Sequence, residues 1–571
     1  MAARAVKIVT EVAAVDRTFD YSIGDEDRFT VGDRVRVDFN HRSVRGWVVG
    51  DATVDGELKP VRKWLGLGPP PELVSLLDWA ARRWYAPWAR FLASASPARV
   101  VTTLPSVPAK APLAENVAAT AVHIAPGVIH LAPTLDPLGL VLAAYDETRR
   151  SDGSLLVIVP YEGWASRLRG RLEQRGCPVA SGDSQWERAR AGWPVVVGSR
   201  GTALAPVPRV SGAVVIDADD EALRSSAAPT WDVVSMLRER CSRDGAPVWF
   251  TSMLPSAALL EGGTYQRGPD AVGGWPRVQP IDRRDRDPHE GVLAPGALDA
   301  AHRALAGSES VAVVVISQRL GAGRLVACSR CGELARCAIC AQAEREDGDA
   351  LACADDHERR ARFCRECGST KLKNVISGVK TVARDVGDQL GQPVTTLTAA
   401  APGALDGGAL TRVVVGTEAV LTRVRRCAVV IFADFDQYLL APRVGARHAA
   451  VSAVGRAGRL VGSRREGRGH VVIQTRRVRD VVVDALVSGQ FDALIEDEVA
   501  TARLLALPPY GAIASVSGDG ALEFVSGLSS PEISVSPSAE GFTLRARDVD
   551  TLTSALRAAE RPGSRIRVAV Q

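Results

Sequence analysis

Seven of the ten cysteines in this 571-residue chain fall between residues 328 and 367. They form three Cys-x-x-Cys pairs and one single residue: Cys328/Cys331, Cys337/Cys340, Cys353 and Cys364/Cys367. A gap of two residues lets both sulfurs of a tight turn face one ion, and zinc binds thiolates at about 2.3 Å in a tetrahedron. With one further ligand, these thiolates predict two closed, structural zinc sites.

The natural pairing of the ligands is nested. We expect the first zinc to take the outer pairs, and the second to take the inner pair, the single cysteine and a fourth ligand. The two sets are Cys328, Cys331, Cys364, Cys367 and Cys337, Cys340, Cys353, His357. Asp356 is the alternative fourth ligand because its spacing from Cys353 matches a Cys-x-x-Cys pair. His357 is favoured because it offers the softer nitrogen.

Two other interpretations of the cysteines are less favoured. Disulfide frameworks belong to small secreted chains, whereas we expect this chain to be large and cytosolic. A catalytic zinc keeps an open coordination position and needs a nearby general base, whereas these pairs fill the coordination shell.

Composition narrows the class of protein. A length of 571 residues predicts about three to five domains. The hydrophobic content of 46% is ordinary for a soluble protein, and apolar runs such as Val311 to Ile316 are too short to cross a bilayer. Charges among the first residues argue against a signal peptide. We therefore expect a cytoplasmic protein with no membrane partner.

The net charge of +4 is too small to indicate a polyanionic partner by itself. Nucleic-acid binding would have to come from local patches. One basic run consists of Arg456, Arg459, Arg464, Arg465, Arg468, Arg476, Arg477 and Arg479. Such a run is often only a solvated face, but it also suits contact with a phosphate backbone.

The patterning divides the chain into α/β and smaller parts. Alternating residues predict a small antiparallel β domain at 1–68, and helical spacing predicts a helical, winged-helix-like module at 71–100. A linker rich in Pro, Ala and Thr follows at 101–120. Short apolar strands that alternate with amphipathic stretches predict two parallel α/β lobes, at 121–290 and at 291–327 with 369–506. The zinc stretch, 328–368, is inserted in the second lobe, and 507–571 forms a small α+β domain.

Two tandem parallel α/β lobes are the layout of a RecA-like helicase motor, and segments in order along the chain carry a resemblance. At the front they are Arg17–Tyr21, Val31–Val37 and Gly46–Gly50. Farther on they are Val197–Ala203, Thr251–Ser256, the cysteine stretch, Val415–Glu418, Gly455–Arg459, Gln474–Thr475 and Leu507–Tyr510. Together these segments resemble the PriA family (primosomal protein N-prime) of replication-restart helicases.

The motifs for ATP hydrolysis are degenerate. The segment Pro126–Pro137, where a phosphate-binding loop is expected, has one glycine, three prolines and no lysine, and no Gly-Lys pair occurs in the chain. Asp217 could still hold magnesium, but Ala218 removes the carboxylate expected to orient water. Arg456 and Arg459 would be finger residues on the γ-phosphate in an active motor; without the loop we favour contact with a DNA backbone. No catalytic residue is predicted, and whether ATP binds stays open.

The resemblance implies the remaining assignments. A pocket for the 3′ end of DNA is expected from Phe19, Asp20, Tyr21, Asn40 and Lys59. Asn40 stands where the family usually has glycine. The implied partners are branched or forked DNA, the replicative helicase and its loading factors, and single-stranded DNA-binding protein, with the zinc module as their platform. Such a protein would be nucleoid-associated.

Three functions follow from these features. The favoured one is a primosome protein that binds stalled or branched forks and promotes reloading of the replicative helicase without unwinding DNA itself. The alternative is an active ATP-dependent 3′ to 5′ helicase with an unorthodox nucleotide site. A zinc-ribbon transcription factor is less favoured, because its DNA affinity would depend on base sequence.

Overall fold

The structure is a computed structural model, and it describes most of the chain. The described residues are 3–12, 17–24, 27–54, 58–261, 265–284, 291–316, 326–353, 357–374, 378–398, 411–441, 444–467, 469–538, 541–563 and 565–571. They form two compact units. The first comprises Met1–Ile129, Asp136–Gln266 and Glu498–Gln571, and the second comprises His130–Leu135 and Arg267–Asp497.

The first unit begins with a five-stranded antiparallel sheet and two helices. The strands are β1 (Ala3–Thr10), β2 (Thr18–Ser22), β3 (Arg34–Phe39), β4 (Arg42–Val54) and β5 (Lys63–Gly66), in the order β2-β1-β4-β3-β5. One face of the sheet encloses a small core that contains Val6, Ile8, Tyr21, Val35, Val37 and Val48. Val9 and Trp47 instead join a core shared with α1 (Pro71–Arg83) and α2 (Trp88–Ser94). Because successive side chains of a strand point to opposite faces, this sheet contributes residues to two separate cores.

The first unit continues with a seven-stranded sheet. Its elements are α3 (Glu115–Ala118), β6 (Gly127–His130), α4 (Leu138–Thr148), β7 (Ser154–Ile158), α5 (Glu162–Glu173), β8 (Val179–Ser181), α6 (Trp186–Ala191), β9 (Val195–Gly198), β10 (Val210–Val215), α7 (Val233–Asp244), β11 (Val248–Ser252) and β12 (Tyr265–Arg267). The strand order is β12-β6-β11-β10-β7-β9-β8, and β7 to β11 pair in parallel. The central strands are uniformly apolar because helices cover both faces of such a sheet.

The second unit contains a six-stranded, wholly parallel sheet and the cysteine insertion. Its elements are β13 (Arg277–Asp282), α8 (Pro295–Ala306), β14 (Val311–Val314), β15 (Val326–Cys328), β16 (Arg345–Asp347), β17 (Ala350–Ala352), β18 (Arg359–Ala361), β19 (Leu372–Asn374), α9 (Val379–Leu390), β20 (Val394–Leu397), β21 (Val413–Gly416), α10 (Val420–Arg423), β22 (Val429–Phe432), α11 (Asp436–Leu439), α12 (Ala446–Val461), β23 (His470–Thr475) and α13 (Val481–Ser488). Helix α14 (Asp492–Leu504) begins in this unit and ends in the first. The order in the parallel sheet is β13-β23-β22-β14-β21-β20.

The C-terminal part belongs to the first unit. It consists of β24 (Ala512–Ser517), α15 (Ala521–Ser526), β25 (Ser534–Ser538), β26 (Gly541–Ala546), α16 (Val549–Ala558) and β27 (Arg567–Val570). The four strands form an antiparallel sheet in the order β25-β26-β24-β27.

The predicted mixed α/β class is confirmed, since each expected lobe contains a sheet of parallel strands. The module at 71–100 contains the expected helices but no wing. Residues 67–126 are all described, and none of them forms a strand. The C-terminal part has four strands and two helices, the mixture expected of a small α+β domain. The exact domain boundaries stay predictions. No helix among the described residues is both long and apolar enough to span a membrane.

Candidate metal centres and nucleic-acid interface

The outer cysteine pairs form one cluster in the insertion. The Sγ atoms of Cys328, Cys331, Cys364 and Cys367 all lie within 4.8 Å of one another. Cys328 and Cys367 are 3.6 Å apart, and Cys331 and Cys364 are 3.5 Å apart. A disulfide needs about 2.05 Å, whereas a zinc ion with bonds of about 2.3 Å separates its thiolates by about 3.8 Å. These spacings fit a metal site and not a pair of disulfides.

The remaining ligands form a second cluster of Cys337, Cys340, Cys353 and His357. Cys340 and Cys353 have sulfurs 3.5 Å apart, and Nδ1 of His357 lies 3.9 Å from the Cys353 sulfur. Either cluster could therefore hold a metal ion, and the donor sets are compatible with zinc. Asp356 lies outside the described residues, so the choice of His357 over Asp356 stays a prediction.

The residue after each Cys-x-x-Cys pair closes the turn. Gly332, Ala341 and Gly368 donate their amide N–H to the carbonyls of Cys328, Cys337 and Cys364, over 3.0, 3.0 and 2.9 Å. All three closing residues have a left-handed backbone, with φ of 76° at Gly332, 57° at Ala341 and 70° at Gly368. Glycine adopts this conformation freely, and alanine does so with strain. The sequence reasoning missed this closing position, although two glycines mark it.

Backbone amides also face the sulfurs. The N–H of Arg330 lies 3.3 Å from the Cys328 sulfur, and that of Ile339 lies 3.4 Å from the Cys337 sulfur. Burial opposes ionisation of Cys328, but hydrogen bonds from the amides of Cys331 and Arg330 and from nearby thiols outweigh it and lower the pKa of this thiol to about 7. Burial, and then the neighbouring thiols, raise the pKa of Cys331 to about 12. The amide hydrogen bonds therefore favour the thiolate, the form that binds metal, at Cys328.

The predicted 3′-end residues lie on or beside β2 but do not share one face. Phe19 packs edge-on against Phe39, with ring centroids 4.9 Å apart, and Arg17 lies 4.8 Å from the Phe19 centroid. Asp20 is opposite Lys7 on β1. Successive side chains of a strand alternate, which places Asp20 on the face away from Phe19.

Tyr21 belongs to the core of the β domain. It is 4% exposed, and its hydroxyl donates to the carbonyl of Asp38 over 3.1 Å. Burial, and secondly the charge of Asp38, raise the pKa of the phenol. A ring enclosed in this way offers no open face on which a base could stack, and a role of Tyr21 in the 3′-end pocket stays a prediction.

Asn40 lies in a turn between two strands, and Lys59 lies beside the end of β2. Asn40 and His41 form the two-residue turn between β3 and β4, with φ of 46° and 59°. Asparagine tolerates this conformation, which explains how it can stand where the related family has glycine. The carbonyl of Lys59 accepts from the amide of Ser22 over 3.0 Å, which holds Lys59 beside the end of β2, two residues from Asp20.

The segment where a phosphate-binding loop was expected forms contacts with other residues of the protein. Within the second unit, Nε of Arg459 donates to the carbonyl of Pro133 over 2.9 Å, and the hydroxyl of Thr134 donates to the carbonyl of Gly274 over 2.6 Å. The ring of His130 meets that of Phe491 edge-on, with centroids 5.8 Å apart. Pro133 has no N–H to offer a phosphate.

The acidic residues after β10 take part in a local network. The Asp219 carboxylate accepts from the hydroxyl of Ser252 over 2.7 Å and from the hydroxyl of Ser256 over 2.5 Å. Asp220 accepts from Tyr161 over 3.1 Å. Asp217, the predicted magnesium ligand, is 7% exposed and has a φ of 52°. The structure therefore places Asp217 in a buried turn with a left-handed backbone, beside two carboxylates with structural partners.

Most arginines of the basic run form hydrogen bonds or ion pairs within the second unit. Arg464 donates to the carbonyl of Ser488 over 2.9 Å, and Arg465 pairs with Asp270 at 2.9 Å. Arg476 pairs with Asp436 at 3.2 Å and Arg477 with Asp480 at 3.0 Å. Arg456 and Arg459 lie half-buried on α12, and Arg468 lies outside the described residues. Contact with a DNA backbone stays a prediction for this run.

Comparisons with known proteins bear on the front of the chain first. The family model described as the 3′ DNA-binding domain (3′BD) of PriA matches residues 7–97. Two relatives, from Mycobacterium bovis and Mycobacterium tuberculosis, are each named probable replication restart protein PriA; each is 28% identical over 443 residues, or 66% of this chain. The replication restart protein PriA of Synechocystis is 25% identical over 414 residues, covering 63% of this chain and 48% of its own.

The chain spans 65% of the length of the two mycobacterial relatives. Among solved structures, S. cerevisiae Dbp5 bound to RNA and ADP BeF3 overlaps 66% of this chain and 83% of its own, with a TM-score of 0.35 and 12% identity. A TM-score this low carries no weight for fold or function. The domain match and the sequence similarity confirm the expected resemblance: this chain is similar to the PriA replication restart proteins, and its residues 7–97 match the model of their 3′ DNA-binding domain.

Proposed function

We propose that this protein recognises branched or stalled replication forks that present a 3′ end and promotes reloading of the replicative helicase, without unwinding DNA itself. Recognition of the 3′ end is supported by the domain match at residues 7–97. The reloading role is supported by the similarity of the chain to replication restart proteins of Mycobacterium and Synechocystis.

The DNA end would be held near the end of β2. The Lys59 backbone is held there by its hydrogen bond from Ser22, two residues along the chain from Asp20. Asp20 would supply a carboxylate that accepts from a base or a free 3′-hydroxyl, and Lys59 would supply an amine that neutralises a phosphate. On the opposite face of β2 from Asp20, the Phe19 and Phe39 pair forms a half-buried aromatic surface beside the Asn40 turn, on which a neighbouring base could stack.

The observation that carries the non-motor part of the proposal is the contact of Arg459 with Pro133. A motor needs free backbone amides and a lysine at this segment, and it needs an arginine directed at the γ-phosphate. Here the segment has proline and no lysine, and the arginine donates to a backbone carbonyl instead. This arrangement supports a binding protein in preference to an ATP-driven helicase.

The cysteine insertion would act as the platform for protein partners. Bound zinc would supply rigidity to both clusters without chemistry of its own, since each donor set fills a tetrahedron. The exposed side chains of Ile339 and Phe363, 69% and 38% accessible, lie in this insertion and suit contact with a protein surface. The replicative helicase, its loading factors and single-stranded DNA-binding protein are the partners proposed for it.

Binding of fork DNA tests this function. We expect the protein to bind forks with a free 3′-hydroxyl more tightly than forks blocked by a 3′-phosphate, and Asp20→Ala to reduce that preference about tenfold, the cost of losing a charged hydrogen bond. Fluorescence anisotropy with labelled forks measures both affinities.

Asp78→Ala is the matched control, because Asp78 is an aspartate of α1 that pairs with Arg82 away from β2. It should leave the preference unchanged. An equal loss of affinity for free and blocked ends in Asp20→Ala would make Asp20 structural. A wild-type protein that binds forks no better than linear duplex would contradict the proposed function.

A further inference from the structure

A basic groove lies between the β domain and the helical module of the first unit. It has a volume of about 610 Å³. Its walls come from the residue after β1, from β3, β4 and α2, and from the segment after α2. They include Glu11, Arg34, Arg45, Trp47, Arg90 and Ser94. None of the residues assigned to the 3′-end pocket lines it.

The groove is built around a fixed arginine. Arg34 donates to the carbonyls of Pro97 and Arg99 over 2.9 and 3.3 Å, which ties β3 to the segment after α2. Trp47 forms a second tie, because its indole N–H donates to the hydroxyl of Ser96 over 2.8 Å. These bonds give the groove a rigid wall, so an incoming ligand would not have to order it.

The other charged side chains of the groove are accessible. Arg45 pairs with Glu11 at 2.8 Å, and their side chains are 55% and 36% exposed. Arg90 is exposed on α2. Burial, and then the charge of Arg45, lower the pKa of Arg34, with Glu11 partly offsetting the effect. Three arginines thus face one carboxylate in the groove, and their mutual repulsion would be relieved by an anion.

We propose that this groove binds the phosphodiester backbone of DNA, with Arg45 and Arg90 as the contacting residues and Arg34 as the residue that positions the wall. The inference rests on the proposed function, and it adds a second DNA site, independent of the 3′ end. DNA is the favoured polyanion because the groove is lined by residues 11–98, nearly all within the segment that matches a DNA-binding domain. Arginine forks suit phosphate oxygens.

Removal of the groove arginines should weaken binding regardless of the DNA end. We expect Arg45→Ala and Arg90→Ala each to lower fork affinity about 3- to 10-fold and to reduce the slope of log affinity against log salt by about 1, the signature of one lost phosphate contact. The ratio of affinities for free and blocked 3′ ends should stay at the wild-type value. Arg82→Ala removes an exposed arginine of α1 outside the groove and should change neither quantity.

A second variant tests the groove by strengthening it. Glu11→Gln keeps an oxygen that can accept from the Arg45 amide, as Glu11 does over 3.1 Å, but removes the negative charge. We expect it to bind forks about 2- to 5-fold more tightly at low salt, since Arg45 then has no competing carboxylate. This gain cannot come from a folding defect.

Two DNA probes identify the strand that the groove holds. A blunt duplex and a single-stranded oligonucleotide of equal length are titrated against each variant, and the probe whose affinity falls in Arg45→Ala is the one bound. Unchanged affinity and salt slope in Arg45→Ala and Arg90→Ala, together with no gain in Glu11→Gln, would overturn the groove proposal. If the wild-type protein bound forks no better than linear duplex, while the groove variants still changed DNA affinity as expected, only the function proposed above would be contradicted.

Discussion

At the residue scale, Ala341 occupies the position that glycine occupies in the other two Cys-x-x-Cys turns. Its φ of 57° lies in the left-handed region, and its amide closes the turn to the Cys337 carbonyl. An L-residue pays about 1–2 kcal/mol for this conformation, and glycine does not. The second metal cluster therefore carries a strain that the first avoids.

Ala341→Gly should stabilise the second cluster by about 0.5–1 kcal/mol, because the relief of strain exceeds the added flexibility of the unfolded chain. Resistance of metal release to a chelator, followed with a chromophoric zinc indicator, measures this gain. Gly368→Ala is the reverse change in the first cluster and should speed release. Faster metal loss from Ala341→Gly would show that the turn does not limit the cluster.

The residues around β2 show what a short motif can and cannot predict. The family resemblance implied one pocket that includes the Phe-Asp-Tyr segment, and the match at residues 7–97 supports a DNA-binding domain there. Strand alternation nevertheless separates Asp20 from its aromatic neighbours, and Tyr21 is enclosed by the core. Which aromatic is buried depends on packing across the sheet, and the sequence of one strand does not carry that information.

At the element scale, the cysteine insertion was the most predictable part of the molecule. Spacing alone indicated the nested pairing, because two sulfurs of one turn must face the same ion, and the two observed clusters have this grouping. The fourth ligand of the second cluster is less constrained, because a residue outside a Cys-x-x-Cys turn can approach the ion from several backbone positions.

Metal analysis of the purified protein should find two zinc ions per chain. His357→Ala should keep one, since it removes a ligand of the second cluster while the four cysteines of the first remain. Inductively coupled plasma mass spectrometry measures the count. His302→Ala changes an exposed histidine of α8 and should keep both ions. Two ions in His357→Ala and one in Asp356→Ala would reverse the choice of ligand.

At the scale of the whole molecule, apolar strands alternating with amphipathic helices were enough to predict two parallel sheets. The strand orders were beyond the sequence pattern, because they depend on which strands pair across the crossover helices. The missing lysine was also readable from the sequence. What the sequence could not show is that Arg459 donates to Pro133 in the segment where a motor would bind phosphates.

The central claim is that this protein binds forks without an ATP-driven motor, and ATP turnover stimulated by fork DNA tests it most directly. The zinc-loaded protein is assayed beside Asp217→Ala, which removes the one carboxylate predicted to hold magnesium. We expect the two proteins to release phosphate at the same background rate, with or without the fork. Turnover in the wild-type protein that rises with the fork and disappears in Asp217→Ala would contradict the claim.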